Sequence, residues 1–333
     1  MAAFAEDKDL EEEYEEVPDD KKLAIGTHFL MSSPPGEIEE VLKDLRTLLG
    51  TSEHILTDEI LEEIFHTYNI QNLQVAIDED GKTKVVLSPE TEIDIKHYLD
   101  CKNKTAVSVK HNSRKIIEEE QQEEPAVEEG KDEDEFAVPV STSTSTSTSA
   151  AWKARTMESF SSELEALRLA VEKALSRYIS SQYGCDTATT SVVIKDNQLK
   201  VLISGEKLNL KNYWSGRWNS TFTYVPSSQQ LSGTVKLLVH YFEDGNVQMT
   251  TEKLAAPVTL DFEDSDDVEA VAATLISELG KAESAIQDSL EVMYLSMGEE
   301  TFKDMRRILP ISKQKMDWSG AQMQLAKGFV TKK

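Results

Sequence analysis

Residues 264–297 read DSDDVEAVAATLISELGKAESAIQDSLEVMYLSM. Apolar side chains fall at Val268, Val271, Leu275, Leu279, Ala282, Ile286, Leu290, Met293 and Met297. Their spacing averages about 3.6, the period of a straight α-helix, whereas a left-handed coiled coil keeps 3.5. Asp266, Asp267 and Glu269 suit the positive end of such a helix, and Gly298 suits its stop. Nine turns would extend about 50 Å, enough to cross a sheet. That sheet is legible immediately upstream, in β-type runs at 189–194, 198–204, 220–225, 233–242, 246–251 and 258–262. Asp196-Asn197 and Asp244-Gly245-Asn246 join two of these pairs at hairpin length, which makes an antiparallel meander.

Working towards the N-terminus, Phe160, Leu164, Leu167, Val171, Leu175 and Tyr178 mark another helix. Before it, 118–135 is dominated by Glu and Asp, and 141–149 alternates serine with threonine. Such sequence cannot bury enough apolar surface to offset its ordering entropy, so 113–150 is expected to be a flexible insertion. Short strands are expected at 73–77, 84–87 and 93–96, the first two joined through Asp80-Gly81. Three helices precede them. The clearest follows Pro34-Pro35-Gly36, with Ile38, Val41, Leu42, Leu45, Leu48 and Leu49 on one stripe and Gly50 as its stop. A looser one covers 23–31 and a third 58–68.

The chain therefore divides into an acidic, disordered 1–20, a helical stalk 21–70, a small β region 71–112 and the insertion 113–150. A helix, antiparallel sheet and long helix follow over 151–300, then a basic helix and tail over 301–333. The fold class is α+β.

Charge limits the function. Among 333 residues, 61 are acidic and 35 basic, a net charge of −26, which repels phosphate backbones and argues against a nucleic-acid binder. No apolar run reaches the roughly 20 residues needed to span a bilayer, and the acidic N-terminus is unlike a signal peptide. Cys101 and Cys185 fit two reduced thiols better than a disulfide framework. The six histidines, His28, His54, His66, His97, His111 and His240, lie far from ligand spacing, and no phosphate loop, metalloprotease His pair or nucleophile elbow occurs. Neither catalysis nor a cofactor or metal is expected.

The tail breaks the charge pattern. From Thr301 to Lys333 it carries eight basic residues and two acidic ones, leaving −32 for the rest of the chain. Phe302, Met305 and Leu309 share one helical face, from which Lys303 and Arg307 point away, with Arg306 at the rim and Pro310 as the stop. Trp318, Ala321, Leu325 and Phe329 form a second apolar stripe, with Lys327 and Lys332 nearby. The tail either folds back as core or lies in a groove of an anionic partner. Upstream, Tyr213, Trp214, Arg217 and Trp218 form a cluster that fits a loop clamp better than a base-stacking platform, given the net charge.

Together these stretches resemble the α subunit of F-actin-capping protein. The residues that carry the resemblance are Tyr213-Trp214-x-Gly216-Arg217-Trp218, His240 through Gln248, and Pro34-Pro35-Gly36-Glu37. Thr301-Phe302-Lys303, Arg306-Arg307, Leu309-Pro310 and Asp317-Trp318 complete the set. The likeness covers about 21–68 and 151–325, and 72–110 more loosely. It implies a heterodimer with a β subunit, one antiparallel sheet shared between the two and covered by long C-terminal helices, and a C-terminal tentacle on each subunit. The pair would cap the barbed end of the actin filament in the cytoplasm and cytoskeleton. The family's actin-binding cations fall on Lys303, Arg307 and Lys313, with Arg306 and Lys315 beside them and Trp318 and Leu325 as apolar contacts. Phosphoinositides and capping regulators are further partners implied by the resemblance. Two departures stand out: the insertion is longer than the family's, and Gly320 weakens the tail helix by about 1 kcal/mol relative to alanine. From another functional class, the long anionic insertion suits an acidic scaffold or chaperone that binds a non-actin partner through the tail.

Overall fold

The computed structural model describes residues 17–117, 162–184, 187–243, 246–262 and 267–296. Its contacts divide the chain into two units, Met1–Ala282 and Glu283–Lys333.

The first unit opens with three helices, α1 (Asp19–Met31), α2 (Ile38–Leu49) and α3 (Asp58–Gln71). α1 starts earlier than its apolar periodicity indicates, because Asp19 and Asp20 supply a favourable first turn. Thr57 caps α3 by accepting the Ile60 N–H at 3.4 Å. Leu30, Ile38, Leu45, Leu61, Ile64, Phe65 and Tyr68 make the stalk core. Leu48, on the expected α2 stripe, is 80% exposed, so that stripe is wider than the face it buries.

Five short strands follow: β1 (Val75–Ile77), β2 (Lys84–Val86), β3 (His97–Asp100), β4 (Thr105–Lys110) and β5 (Lys115–Ile117). Their order is β2-β1-β5-β4-β3. β1 and β2 pair as the Asp80-Gly81 signal predicts, with Gly81 at φ 72°. Two expectations are corrected here. β5 lies inside the stretch assigned to the insertion from residue 113. The strand expected at 93–96 is a bend, with the strand proper beginning at His97, because Asp94 folds its carboxylate back onto the Lys96 and His97 N–H groups at 2.9 and 3.0 Å.

α4 (Ser162–Gln182) buries Leu164, Leu167, Val171 and Leu175, and packs on the main sheet at β6. That sheet comprises β6 (Ala188–Lys195), β7 (Gln198–Asn209), β8 (Trp214–Val225), β9 (Gln230–Tyr241) and β10 (Val247–Thr259), in the order β10-β9-β8-β7-β6. Every pairing is antiparallel. Asp196 and Asn197 both adopt positive φ between Lys195 and its partner Gln198, a two-residue turn of the type that matches strand twist. β8 begins well before the expected 220, so Trp214 and Trp218 are strand residues. The strands expected at 246–251 and 258–262 are largely one, β10, with a register shift between Ala255 and Val258. Pro257 explains the shift, since it has no N–H to give the ladder.

α5 (Val268–Ser296) is the long helix, its start capped by Asp267, which accepts the Glu269 and Ala270 N–H groups at 3.0 and 3.2 Å. Within the first unit α5 approaches α4 closely at Gly280, where an added Cβ would lie 3.0 Å from the Tyr178 ring. Lys173 pairs with Glu269 at 3.0 Å between the same helices. In the second unit Ile286 and Leu290 are buried, while Val292 and Leu295 are exposed.

The stalk is bolted to the sheet through the end of α3. Asn72 O accepts from Asn219 Nδ2 at 2.6 Å and from Arg217 Nη1 at 3.4 Å. Lys236 Nζ donates to Gln71 O and to Asn72 Oδ1, both at 3.1 Å, and Ser204 Oγ donates to Leu73 O at 2.6 Å. These donors satisfy carbonyls that the helix leaves orphaned, and the two cations meet the negative end of its dipole. Burial pushes the Lys236 pKa down, with Arg217 adding to the effect and Glu252 opposing it. Arg217 is buried and paired with Glu206, its cross-strand neighbour.

Two substitutions test this packing by urea unfolding of the full-length protein. Gly233→Ala would place a Cβ 2.3 Å from the Phe222 ring, so a loss of about 1–3 kcal/mol is expected from overpacking. Arg217→Met strands Glu206 and leaves Asn72 O with one donor fewer; roughly 3 kcal/mol should be lost, whereas an unchanged midpoint would remove Arg217 from the junction.

Candidate functional site

The seven residues assigned to partner binding, Lys303, Arg306, Arg307, Lys313, Lys315, Trp318 and Leu325, lie outside the described residues. The acidic N-terminus before residue 17, the insertion beyond Ile117, Phe160 and Cys185 lie outside them too.

What the structure does place is the set of aromatic and polar residues upstream. Gly36 takes φ 79° at the entry to α2, and a Cβ there would meet Leu208 of β7 at 2.7 Å, so a side chain is doubly disfavoured. Glu37 follows it. Its carboxylate accepts from His240 Nδ1 at 2.7 Å and from Ser215 Oγ at 3.4 Å, reaching β9 and β8 together. The second ring nitrogen of His240 lies 3.1 Å from Asn246 Oδ1. The imidazole stacks on Phe242 with centroids 4.8 Å apart, and Phe242 meets Tyr213 edge-on at 5.6 Å. The Phe242 N–H donates to Tyr213 O at 2.9 Å, and Gln248 Nε2 donates to Ser32 O at 2.8 Å. Tyr213 holds φ 60°, turning the chain into β8. Of the residues expected to clamp a loop to the sheet, Tyr213 joins this cluster, which instead fixes the stalk to the end of the sheet.

The two borders of the main sheet differ. β6 lies against β2 and α4. On β10 no further strand pairs among the described residues, and Leu254 is 80% exposed, with Val247 and Val258 also open. A long unpaired edge with exposed aliphatic side chains is a template for another strand. In the sequence this edge reads as two short runs, 246–251 and 258–262; the alternation across residues 247–255 was the available signal.

Titratable groups elsewhere are engaged in packing. Cys101 is buried, its sulfur accepts from Ser191 Oγ at 3.1 Å, and burial pushes its thiol up to about 11. Arg168, also buried, is held by Glu165 and Glu172 and donates to Cys101 O at 3.3 Å. His66 and His111, remote in sequence, come together with ring centroids 4.9 Å apart. Among the described residues no group of three or more His, Cys, Asp or Glu is placed to hold a metal ion. No described helix is long and apolar enough to cross a membrane.

A sequence model of the F-actin capping protein alpha subunit family matches residues 27–138 and 127–327. Curated relatives named F-actin-capping protein subunit alpha include one from Dictyostelium discoideum, 29% identical over 305 residues, covering 89% of this chain and 92% of the relative. The Caenorhabditis elegans protein is 28% identical, with 92% and 96% covered, and that of Chaetomium thermophilum 26% identical, with 89% and 90% covered. A solved structure described as a homodimeric actin capping protein alpha subunit from Plasmodium berghei superposes with a TM-score of 0.59. At 22% identity, over 89% of this chain and 99% of that one, it bears on the fold alone. With the stalk, the five-stranded meander and the long helix all in place and the family matched along nearly the whole chain, the protein belongs to the F-actin capping protein alpha subunit family.

Proposed function

We propose that this chain is one half of a heterodimer with a capping protein β subunit, and that the pair closes the barbed end of the actin filament to addition and loss of actin. The observation that carries the proposal is the family match over both halves of the chain, tail included. It favours capping over the acidic scaffold, which would draw its support from the insertion alone. The uncovered β10 edge supports a two-subunit assembly, since a partner strand there would continue the meander and cover Leu254.

The mechanism is steric and electrostatic. Lys303, Arg306, Arg307, Lys313 and Lys315 orient the anionic body towards the acidic surface of actin, raising the association rate. Trp318 and Leu325 then bury apolar surface and slow release. No bond is made or broken, so neither a catalytic group nor a cofactor is required. The same cations would bind phosphoinositide headgroups in competition with actin, and capping regulators would act on the same cytoplasmic, cytoskeletal pool.

Three outcomes are expected. In seeded actin elongation, Lys303→Ala with Arg307→Ala weakens capping up to about tenfold through slower binding. Raising salt mimics the double variant in the wild type, because exposed charges are screened within about 10 Å at 0.1 M; an unchanged inhibition curve would remove the cations from the interface. Co-expression with a β subunit yields a soluble 1:1 complex, and Leu254→Lys on β10 lowers its recovery. A stable pair of two identical chains under those conditions would instead assign the edge to a second copy.

A further inference from the structure

His111 opens the turn between β4 and β5 and is fully buried. Its Nε2 donates to Ile95 O at 2.6 Å. On the opposite side Nδ1 lies 3.3 Å from Asn69 Nδ2, and the same amide nitrogen donates to His111 O at 3.0 Å. An amide nitrogen only donates, so Nδ1 must accept: the bonding network assigns a neutral ring carrying its proton on Nε2. The Nδ1 contact with Asn69 depends on that state, whereas the Nε2 bond to Ile95 O survives in either.

Its surroundings are rich in titratable groups. From α3, Glu62 accepts the His111 N–H at 2.9 Å, and the His66 ring stands edge-on at 4.9 Å. From the connection before β3, Glu92 pairs with His66 Nε2 at 2.8 Å, while Asp94 is occupied by His97 Nδ1 at 2.8 Å. From β3, Tyr98 faces the ring at 5.7 Å. Flanking the turn itself, Lys110 is exposed and Arg114 donates to Gln74 Oε1 at 2.8 Å. Burial is the main cause holding the His111 pKa below the ordinary histidine range. The Ile95 carbonyl, Glu62 and Glu92 oppose it, and His66 reinforces it.

We propose that His111 forms a proton-operated latch between helix α3 and the small sheet, closed while its ring is neutral and released when Nδ1 takes a proton. A proton there would set N–H against N–H at Asn69. Asn69 cannot turn its oxygen towards the ring without giving up its bond to His111 O. The new charge would also stand beside His66 in a fully buried site. The opened state accepts the proton that the closed state refuses, so closure is fully favoured above the ordinary histidine value of about 6.5. It weakens as pH falls through that value towards the depressed one. One proton changes the ratio of open to closed by at most about tenfold per pH unit.

Hydrogen exchange of the full-length protein, corrected for intrinsic rates, tests the latch across residues 94–99 and 105–114 between pH 7.5 and 5.5. Opening should be flat above about pH 6.5 and rise by up to about tenfold per unit below it. His111→Gln can donate to Ile95 O and accept from Asn69 without titrating, so its profile should be flat throughout; His66→Gln should keep the wild-type slope. A pH-independent wild type, a sloping His111→Gln or a slope abolished by His66→Gln would each overturn the proposal. Should His111→Gln fail to fold, histidine NMR of the wild type decides. A His111 ring still neutral at pH 6 with its proton on Nε2 supports the latch, and one titrating at or above about 6.5 sinks it.

Discussion

The structure depends on how the end of one helix is satisfied. α3 stops at Gln71, and the carbonyls of Gln71, Asn72 and Leu73 point into the main sheet with no helical partner. Left unpaired, the buried carbonyls of Asn72 and Leu73 would each cost on the order of 1–3 kcal/mol. Instead Ser204, Arg217, Asn219 and Lys236, from three adjacent strands, each donate to them. The stalk is thereby fixed by directional bonds at one end of α3 and by the Glu37–His240 clamp at the entry to α2. Apolar packing alone would allow sliding; two separated polar anchors do not.

That arrangement divides labour along the sequence. Arg217, His240 and the aromatics around them are the most distinctive residues of the chain, and they are consumed in holding stalk and sheet together. The chain's net charge of −26 repels acidic surfaces, and a basic excess gathers in 301–333.

Much of this was legible from residue order. The 3.6 spacing from Val268 onward gave a helix that the structure carries to Ser296, and Asp196-Asn197 gave a hairpin of the expected kind. Local chemistry misled at two places. Ile93 to Lys96 has strand-like composition, but the short reach of the Asp94 carboxylate to two backbone N–H groups bends it. The runs at 246–251 and 258–262 read as two strands, yet one edge strand spans them and absorbs Pro257 through a bulge. The pairing of His66 with His111 and the donors gathered on Asn72 were invisible, because tertiary contacts between distant segments leave no periodic trace in one sequence. The tail residues, by contrast, owe their assignment to charge and resemblance.

The irregularity at Ala255 to Val258 also limits growth. An incoming strand can zip against β10 from Val247 to Ala255, about 30 Å of regular ladder, before the twist at the bulge turns it aside. One short, well-registered neighbour fits that segment.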